Sequence, residues 1–355
     1  MIGKLRVAAL ASLLALAADG RCAGQQQPAR QQPGGLQAAI LIFDGVQIID
    51  YTGPYEVFGQ AGFNTFTVAE KPDPVTTSMG MIVTPNYTLD NNPKPDVIVI
   101  PGGRIDPALN SPKVIRWIQE SEKGARHVLS VCNGAFILAK TGLLDGLSTT
   151  TFYDLIDALK QAAPKTKVLS DRRYVDNGKY ISTAGISSGI DGSLYVVSKI
   201  RGMGRAQMVA LNMEYNWDPD SKYARASFAD RHIRRVLGRN LRLDAPAVAA
   251  FKVLSTKGGN DRWEVTWEVE SESGAPELIK LLGGKLAGDA KWAARDAGKS
   301  ADANAGAWKF VDETGESWNG SASIRPVAGA ANKYTLALRV ERAHVSAGSA
   351  SRNSR

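Results

Sequence analysis

Only two cysteines, Cys22 and Cys132, and three histidines occur among 355 residues. So few soft ligands make no recognisable zinc pattern, and no metal or other cofactor is expected. A disulfide-stapled scaffold is excluded for the same reason. No phosphate loop or dinucleotide fingerprint is present either: Pro101-Gly102-Gly103 ends an apolar run but lacks the required spacing. No apolar run approaches the roughly 20 residues that a spanning helix needs, so no stable membrane anchor is expected. The run at 7–18 follows Lys4 and Arg6 and precedes small residues, which is the pattern of a secretory signal peptide. Arg21, directly before Cys22, argues against a lipoprotein site. A signal peptide over 1–23, a Gln- and Pro-rich flexible linker over 24–37, and a periplasmic or secreted location are therefore expected. Removal of Cys22 leaves Cys132 without an intramolecular partner.

Apolar content of 44% and charged content of 22% are those of a globular chain. The length suits two domains. The net charge of +8 could point to an acidic partner. Acids and bases are interspersed, however, except over 225–242, where six arginines crowd together. That stretch is expected to be a solvated amphipathic helix with Ala226, Ile233, Val236 and Leu237 facing inward. No DNA-binding motif accompanies it, so no nucleic-acid partner is expected.

From residue 38 strands and helices alternate. Buried strands are expected at 38–43, 64–70, 96–100, 127–131 and 180–185, with an edge segment at 81–89. Helices are expected at 52–62, opened by Pro54, and at 111–124, capped by Ser111. Further helices are expected at 134–144, 153–164 and 188–202. The rhythm predicts a flavodoxin-like, doubly wound parallel sheet with helices on both faces, over 38–244. Past Asp244 the chain reads as a smaller α+β domain, 245–343, with strands at 251–271, 307–326 and 333–343 and a helix at 275–286. Trp263 and Trp267 share one face of a strand and are expected in its core. The tail, 344–355, is expected to be disordered.

Cys132 sits where an apolar strand meets a helix, followed by Gly134 and Ala135. That junction permits a nucleophile elbow, which lifts one side chain above the sheet. The following helix and its free amides are expected to favour the thiolate and lower its pKa. The backbone amides of Asn133 and Gly103 are candidate cradles for negative charge, with Gly102 beside them. In an open parallel sheet the carboxyl ends of neighbouring strands converge on one crevice. Asp50 lies at the correct end of the first strand to serve as an acid partner; a plain helix-cap role is the alternative for it. Glu56 stands a turn further on. His127 points to the opposite face of its strand from Cys132 and lies roughly 16 Å away by strand rise. His232 and His344 have no visible route to the site.

The stretches ILIFDGVQIIDYTGPYEVF, DVIVIPGG, SVCNGAFILAKTGLLDG and GISSGIDGSLYVV occur in the order seen in the DJ-1/PfpI family of the class-I glutamine-amidotransferase-like fold. The chain over about 38–215 resembles that family, and within it the isonitrile-hydratase-like branch and the sensor domains of AraC-type regulators. The resemblance implies a homodimer, a nucleophile at Cys132 and an acid at Asp50. Asn133 stands where PfpI-type proteases carry histidine and isonitrile hydratases usually carry threonine. Thr149-Thr150-Thr151-Phe152 lacks the histidine that many relatives place after a Thr-Thr pair. Ser187 and Ser188 are expected to line the pocket, or else to cap the helix they open. The expected function is a cysteine-dependent hydratase or lyase acting on a small, electrophilic, isonitrile-like compound. The alternative is a periplasmic ligand-binding or redox-protective module without turnover.

Overall fold

Apolar runs buried on both faces build the centre of one sheet. The computed structural model describes residues 34–221, 223–243, 248–289, 291–294 and 302–343. The expected signal peptide, most of the linker, and the tail with His344 lie outside the described residues. Seven strands pair in the first sheet: β1 (Gln37–Leu41), β2 (Asn64–Ala69), β3 (Tyr87–Thr88), β4 (Val97–Ile100), β5 (His127–Ser130), β6 (Tyr174–Asn177) and β7 (Tyr180–Thr183). Their order is β6-β7-β5-β4-β1-β2-β3. All neighbours run parallel except β6 and β7, which form a hairpin at one edge. β4 carries Val97, Ile98, Val99 and Ile100, none of them exposed, as a strand covered on both faces requires.

Helices cover the sheet in two groups. α1 (Ile48–Gln60), α5 (Ser188–Arg201) and α6 (Met203–Asn212) contact one another, and α3 (Gly134–Lys140) contacts both α2 (Pro112–Ser121) and α4 (Ile156–Ala162). The Ser111 hydroxyl caps α2, accepting the Val114 N–H at 3.3 Å. α1 begins at Ile48, ahead of the start expected at residue 52, so Pro54 lies inside the helix. It forfeits one backbone bond there, yet Tyr51, Gly53, Val57 and Phe58 are buried on the sheet and hold the helix together. α6 and β6 were not expected. Gly202 and Gly204 mask the helical pattern of α6, and β6 has one buried residue, too few to read as a strand.

A second core begins at Phe228, ahead of the boundary expected at residue 244. α7 (Asp230–Leu237) turns Ile233, Val236 and Leu237 into it, while Ala226 stays half-buried in the turn before the helix. The second sheet is antiparallel, built from β8 (Ala250–Gly258), β9 (Arg262–Glu270), β10 (Ala293–Ala294), β11 (Ala305–Val311), β12 (Ser317–Pro326) and β13 (Lys333–Arg342), in the order β8-β9-β13-β12-β11-β10. α7 contacts β9 and β13, and α8 (Ala275–Asp289) packs against the same sheet. Trp263, Val265, Trp267 and Val269 share its buried face at the two-residue period of a strand. The Trp267 indole N–H donates to the Leu241 carbonyl at 2.9 Å, which ties the segment after α7 to the sheet. Among the described residues no helix is long and apolar enough to cross a membrane.

Candidate active site

Four neighbouring strands, β7, β5, β4 and β1, end at one edge, and each chain turns there into a site segment. β5 leads through Val131 and Cys132 into α3. β4 leads into Pro101-Gly102-Gly103, β1 into α1 with Asp50 in its first turn, and β7 into Gly185, Ile186 and α5. This is the crevice that parallel topology predicts, and it brings Cys132 and Asp50 together.

Cys132 has φ +58°, the left-handed region that a side chain with a Cβ avoids. Its neighbours impose that conformation. Its N–H donates to the Ala184 carbonyl at 3.1 Å. Its own carbonyl accepts the buried Thr151 hydroxyl at 2.9 Å. Gly134 must be glycine, because a Cβ there would press into the Ile100 and Pro101 carbonyl oxygens. The elbow therefore rests on close backbone contact between α3 and the end of β4.

Cys132 is only 7% exposed. It faces the Asp50 carboxyl within hydrogen-bonding reach, and the main-chain amides of Asn133 and Ile186 point at the sulfur. Asp50 is wholly buried. Its Oδ2 accepts the Gly102 N–H at 3.2 Å, while Oδ1 is buried without a hydrogen-bond partner. Asp50 is not a helix cap, because Gln47 holds that position and caps nothing with its side chain. Glu56 lies on the exposed side of α1, bonded to Gln60, away from the crevice.

Burial pushes the Asp50 carboxyl up to about 7, against the lowering pull of Cys132 and the Gly102 and Ile186 amides. The Cys132 thiol is pushed up as well, first by burial and then by the Asp50 charge. This corrects the expected lowering. The amides do favour the thiolate, but burial beside an acid outweighs them. Two acids in one dry site hold a single negative charge between them, so they titrate as a pair.

The remaining expected residues divide. The Asn133 amide faces the sulfur as expected. The Gly103 amide is engaged instead by the Asn133 side chain, which accepts it at 2.8 Å and donates back to the Gly103 carbonyl at 2.8 Å. Gly102 is packed so closely that a Cβ would collide with the Asn133 side chain and lie 2.9 Å from Asp50 Oδ2. Its amide serves Asp50, not an external anion. The Ser187 hydroxyl accepts from Arg173 at 3.1 Å, and Ser188 is buried in the first turn of α5. His127 lies at the start of β5, the far end from Cys132. His232 is buried in the second core, its ring 4.4 Å from that of Trp318, and burial lowers its pKa to about 3.

Ile186 and Thr151 were missed by sequence reasoning. Ile186 has φ +60°, an outlier for a β-branched residue, and its amide meets both Asp50 and Cys132. The signal was available, since Gly185-Ile186-Ser187 is a second strand-to-helix junction beside the first. Among the described residues no group of His, Cys, Asp and Glu is arranged to hold a metal ion.

Residues 36–199 match the model of the DJ-1/PfpI family. Isonitrile hydratase of Pseudomonas putida is 34% identical over 185 residues, covering 51% of this chain and 78% of that protein. This chain belongs to the DJ-1/PfpI family. A crystal structure of a ThiJ/PfpI family protein from Pseudomonas syringae superposes with TM-score 0.51 at 26% identity, over 62% of this chain and 94% of that one. This chain is also 27% identical over 137 residues to the HTH-type transcriptional regulator CdhR of Pseudomonas aeruginosa, over 39% of this chain and 40% of the regulator. The DJ-1/PfpI match stops short of α7 and the second sheet, so the C-terminal domain has no counterpart in it.

Proposed function

We propose that this protein is a cysteine-dependent hydratase of small compounds with an electrophilic carbon, of the isonitrile class. The carrying observation is the wholly buried Asp50 carboxyl, pushed up to about 7, within hydrogen-bonding reach of the Cys132 sulfur. A group that titrates near neutral pH can both give and take a proton. The 34% identity to isonitrile hydratase over 78% of that protein supports the choice of substrate class.

The sulfur adds to the terminal carbon of R–N≡C, and the proton held by the pair goes to the same carbon. The product is the thioimidate R–N=CH–S–Cys132. Water then adds across the C=N bond, with Asp50 taking one of its protons and returning it to nitrogen. The adduct's hydroxyl proton passes to the Cys132–Asp50 pair as the C–S bond breaks with its electrons to sulfur, which restores the starting pair, and R–NH–CHO leaves. The amides of Asn133 and Ile186 stabilise negative charge on the sulfur at the start and end of the cycle. Export through the 1–23 signal and assembly as a homodimer belong to the same reading. Cell fractionation tests the first and the solution mass tests the second.

Incubation with cyclohexyl isocyanide should yield the N-substituted formamide, and both Cys132→Ala and Asp50→Asn should abolish it. No product from the wild type, or equal product from Cys132→Ala, rejects the reading. Burial of Cys132, only 7% exposed, favours a second reading, a ligand-binding module without turnover. Native mass spectrometry of the purified protein would then find a retained small molecule that survives in Cys132→Ala.

A further inference from the structure

Part of the arginine-rich stretch is drawn out of solvent: the Arg234 side chain is only 10% exposed, while Arg235 and Arg239 stay on the solvated face that its composition predicts. Arg234 and Arg239 from the C-terminal domain, with Arg225 in the turn just ahead of it, converge on three consecutive residues of the DJ-1/PfpI domain, Phe152, Tyr153 and Asp154. Arg234 donates to Asp154 Oδ1 at 2.9 Å and Arg239 to Oδ2 at 2.7 Å. The Arg225 and Arg234 guanidinium groups lie 4.7 and 4.5 Å from the centre of the Tyr153 ring, and Arg239 lies 5.7 Å from that of Phe152. Asp230 holds two of the three arginines in place, Arg225 through two bonds of 2.6 and 2.5 Å and Arg234 through one of 2.9 Å.

The gripped segment reaches the cysteine elbow in two ways. Thr151, the next residue back, donates its hydroxyl to the Cys132 carbonyl. Phe152 lies so close to Gly185 that a Cβ there would collide with its ring, and Gly185 leads directly into Ile186. Cys132 and Ile186 are both left-handed, at φ +58° and +60°. Such conformations persist only where the surroundings over-determine them. Segment 151–154 is part of those surroundings, and its outer end is held by the other domain.

We infer that the C-terminal domain is a positioning element for the cysteine elbow, acting through the Arg234–Asp154–Arg239 clasp on segment 151–154. Asp154 and the two arginines are positioning residues, since none of them touches the sulfur. The inference rests on Cys132 being the reacting group, but thiol alkylation reads that group without any isonitrile turnover.

The test measures the rate of iodoacetamide alkylation of Cys132 against pH in the full chain. Asp154→Asn and Arg239→Gln should slow alkylation near neutral pH by about threefold or more, the scale of an indirect coupling, and move the midpoint of the profile upward. Asp154→Glu and Arg239→Lys should restore most of the rate. Arg235→Gln, which removes an ion pair to Glu313 inside the C-terminal domain, should leave the profile unchanged. Salt near 1 M, where the Debye length is about 3 Å, should slow the wild type but not Asp154→Asn. The wild-type half of that arm needs no mutation, so it still reads the clasp if a variant fails to fold, and a wild-type rate unmoved by salt counts against the inference. Unchanged profiles in both clasp variants, an equal loss in Arg235→Gln, or faster alkylation at an unchanged midpoint would each overturn the inference.

Discussion

Replacing Asp50 by asparagine keeps the shape of the side chain and removes a titration that the fold opposes. The carboxyl rises from 3.8 to about 7 because it is buried, a difference of about 3 pH units. At 1.36 kcal/mol per unit, ionising it in the folded state costs on the order of 4 kcal/mol more than in the unfolded chain. A group whose folded pKa is raised contributes stability that is fully present below 3.8 and is lost as pH rises through about 7. About 3 kcal/mol of the total falls between pH 5 and pH 8. Every other carboxyl titrates alike in wild type and variant, so the difference between the two isolates Asp50. At roughly 2 °C per kcal/mol for a chain of this size, the variant should gain about 6 °C in melting temperature over the wild type on going from pH 5 to pH 8. Paired melts of the two proteins, followed by circular dichroism, measure it. A difference that stays constant with pH, or a variant that loses ground at pH 8, would refute burial as the cause.

Four further outcomes rest on particular contacts. Gly134→Ala should cost about 1–3 kcal/mol or more in urea unfolding, because the new Cβ presses on backbone that a side chain cannot move aside. Thr151→Val should cost about 0.5–1.5 kcal/mol by removing the shorter hydrogen bond to the buried Cys132 carbonyl, which keeps the Ala135 N–H at 3.4 Å, with Thr151→Ser costing less. Asp312 accepts the Thr314 and Glu316 amides, the Thr314 hydroxyl, the Trp318 indole and Arg231. Although burial opposes its ionisation, these donors hold it well below the usual carboxylate range. Its stabilisation is present above pH 3.8 and is lost as pH falls below that value, so tryptophan fluorescence of the C-terminal domain should change with acid over that range. Asp312→Ala should cost about 3–5 kcal/mol at neutral pH, because Arg231 loses its buried partner.

Much of the fold is legible in the residue order because the central strands are buried on both faces and read as unbroken apolar runs. The elbow is legible for a related reason. Cys132 lies between such a run and a helical pattern, and parallel topology brings Asp50 to it. What was not legible depends on contacts distant in sequence. Gly103 and Asn133 are both at the crevice, but nothing in their spacing reveals that they pair with each other. The thiol was expected to be lowered because a sequence displays helix ends and not burial. The arginines of 225–242 look like a solvated face, since Asp154 is 80 residues from Arg234 and 85 from Arg239. Pro54 was read as the start of a helix that in fact continues around it, because the buried face on either side outweighs one lost backbone bond.

The central claim is that Cys132 and Asp50 share one proton. The alkylation rate of Cys132 against pH, in wild type and Asp50→Asn side by side, tests it most directly. The account predicts a wild-type inflection near pH 7, where the pair loses its proton, and its disappearance in the variant, where the thiol titrates well above that point. Superimposable profiles in the two proteins would contradict it.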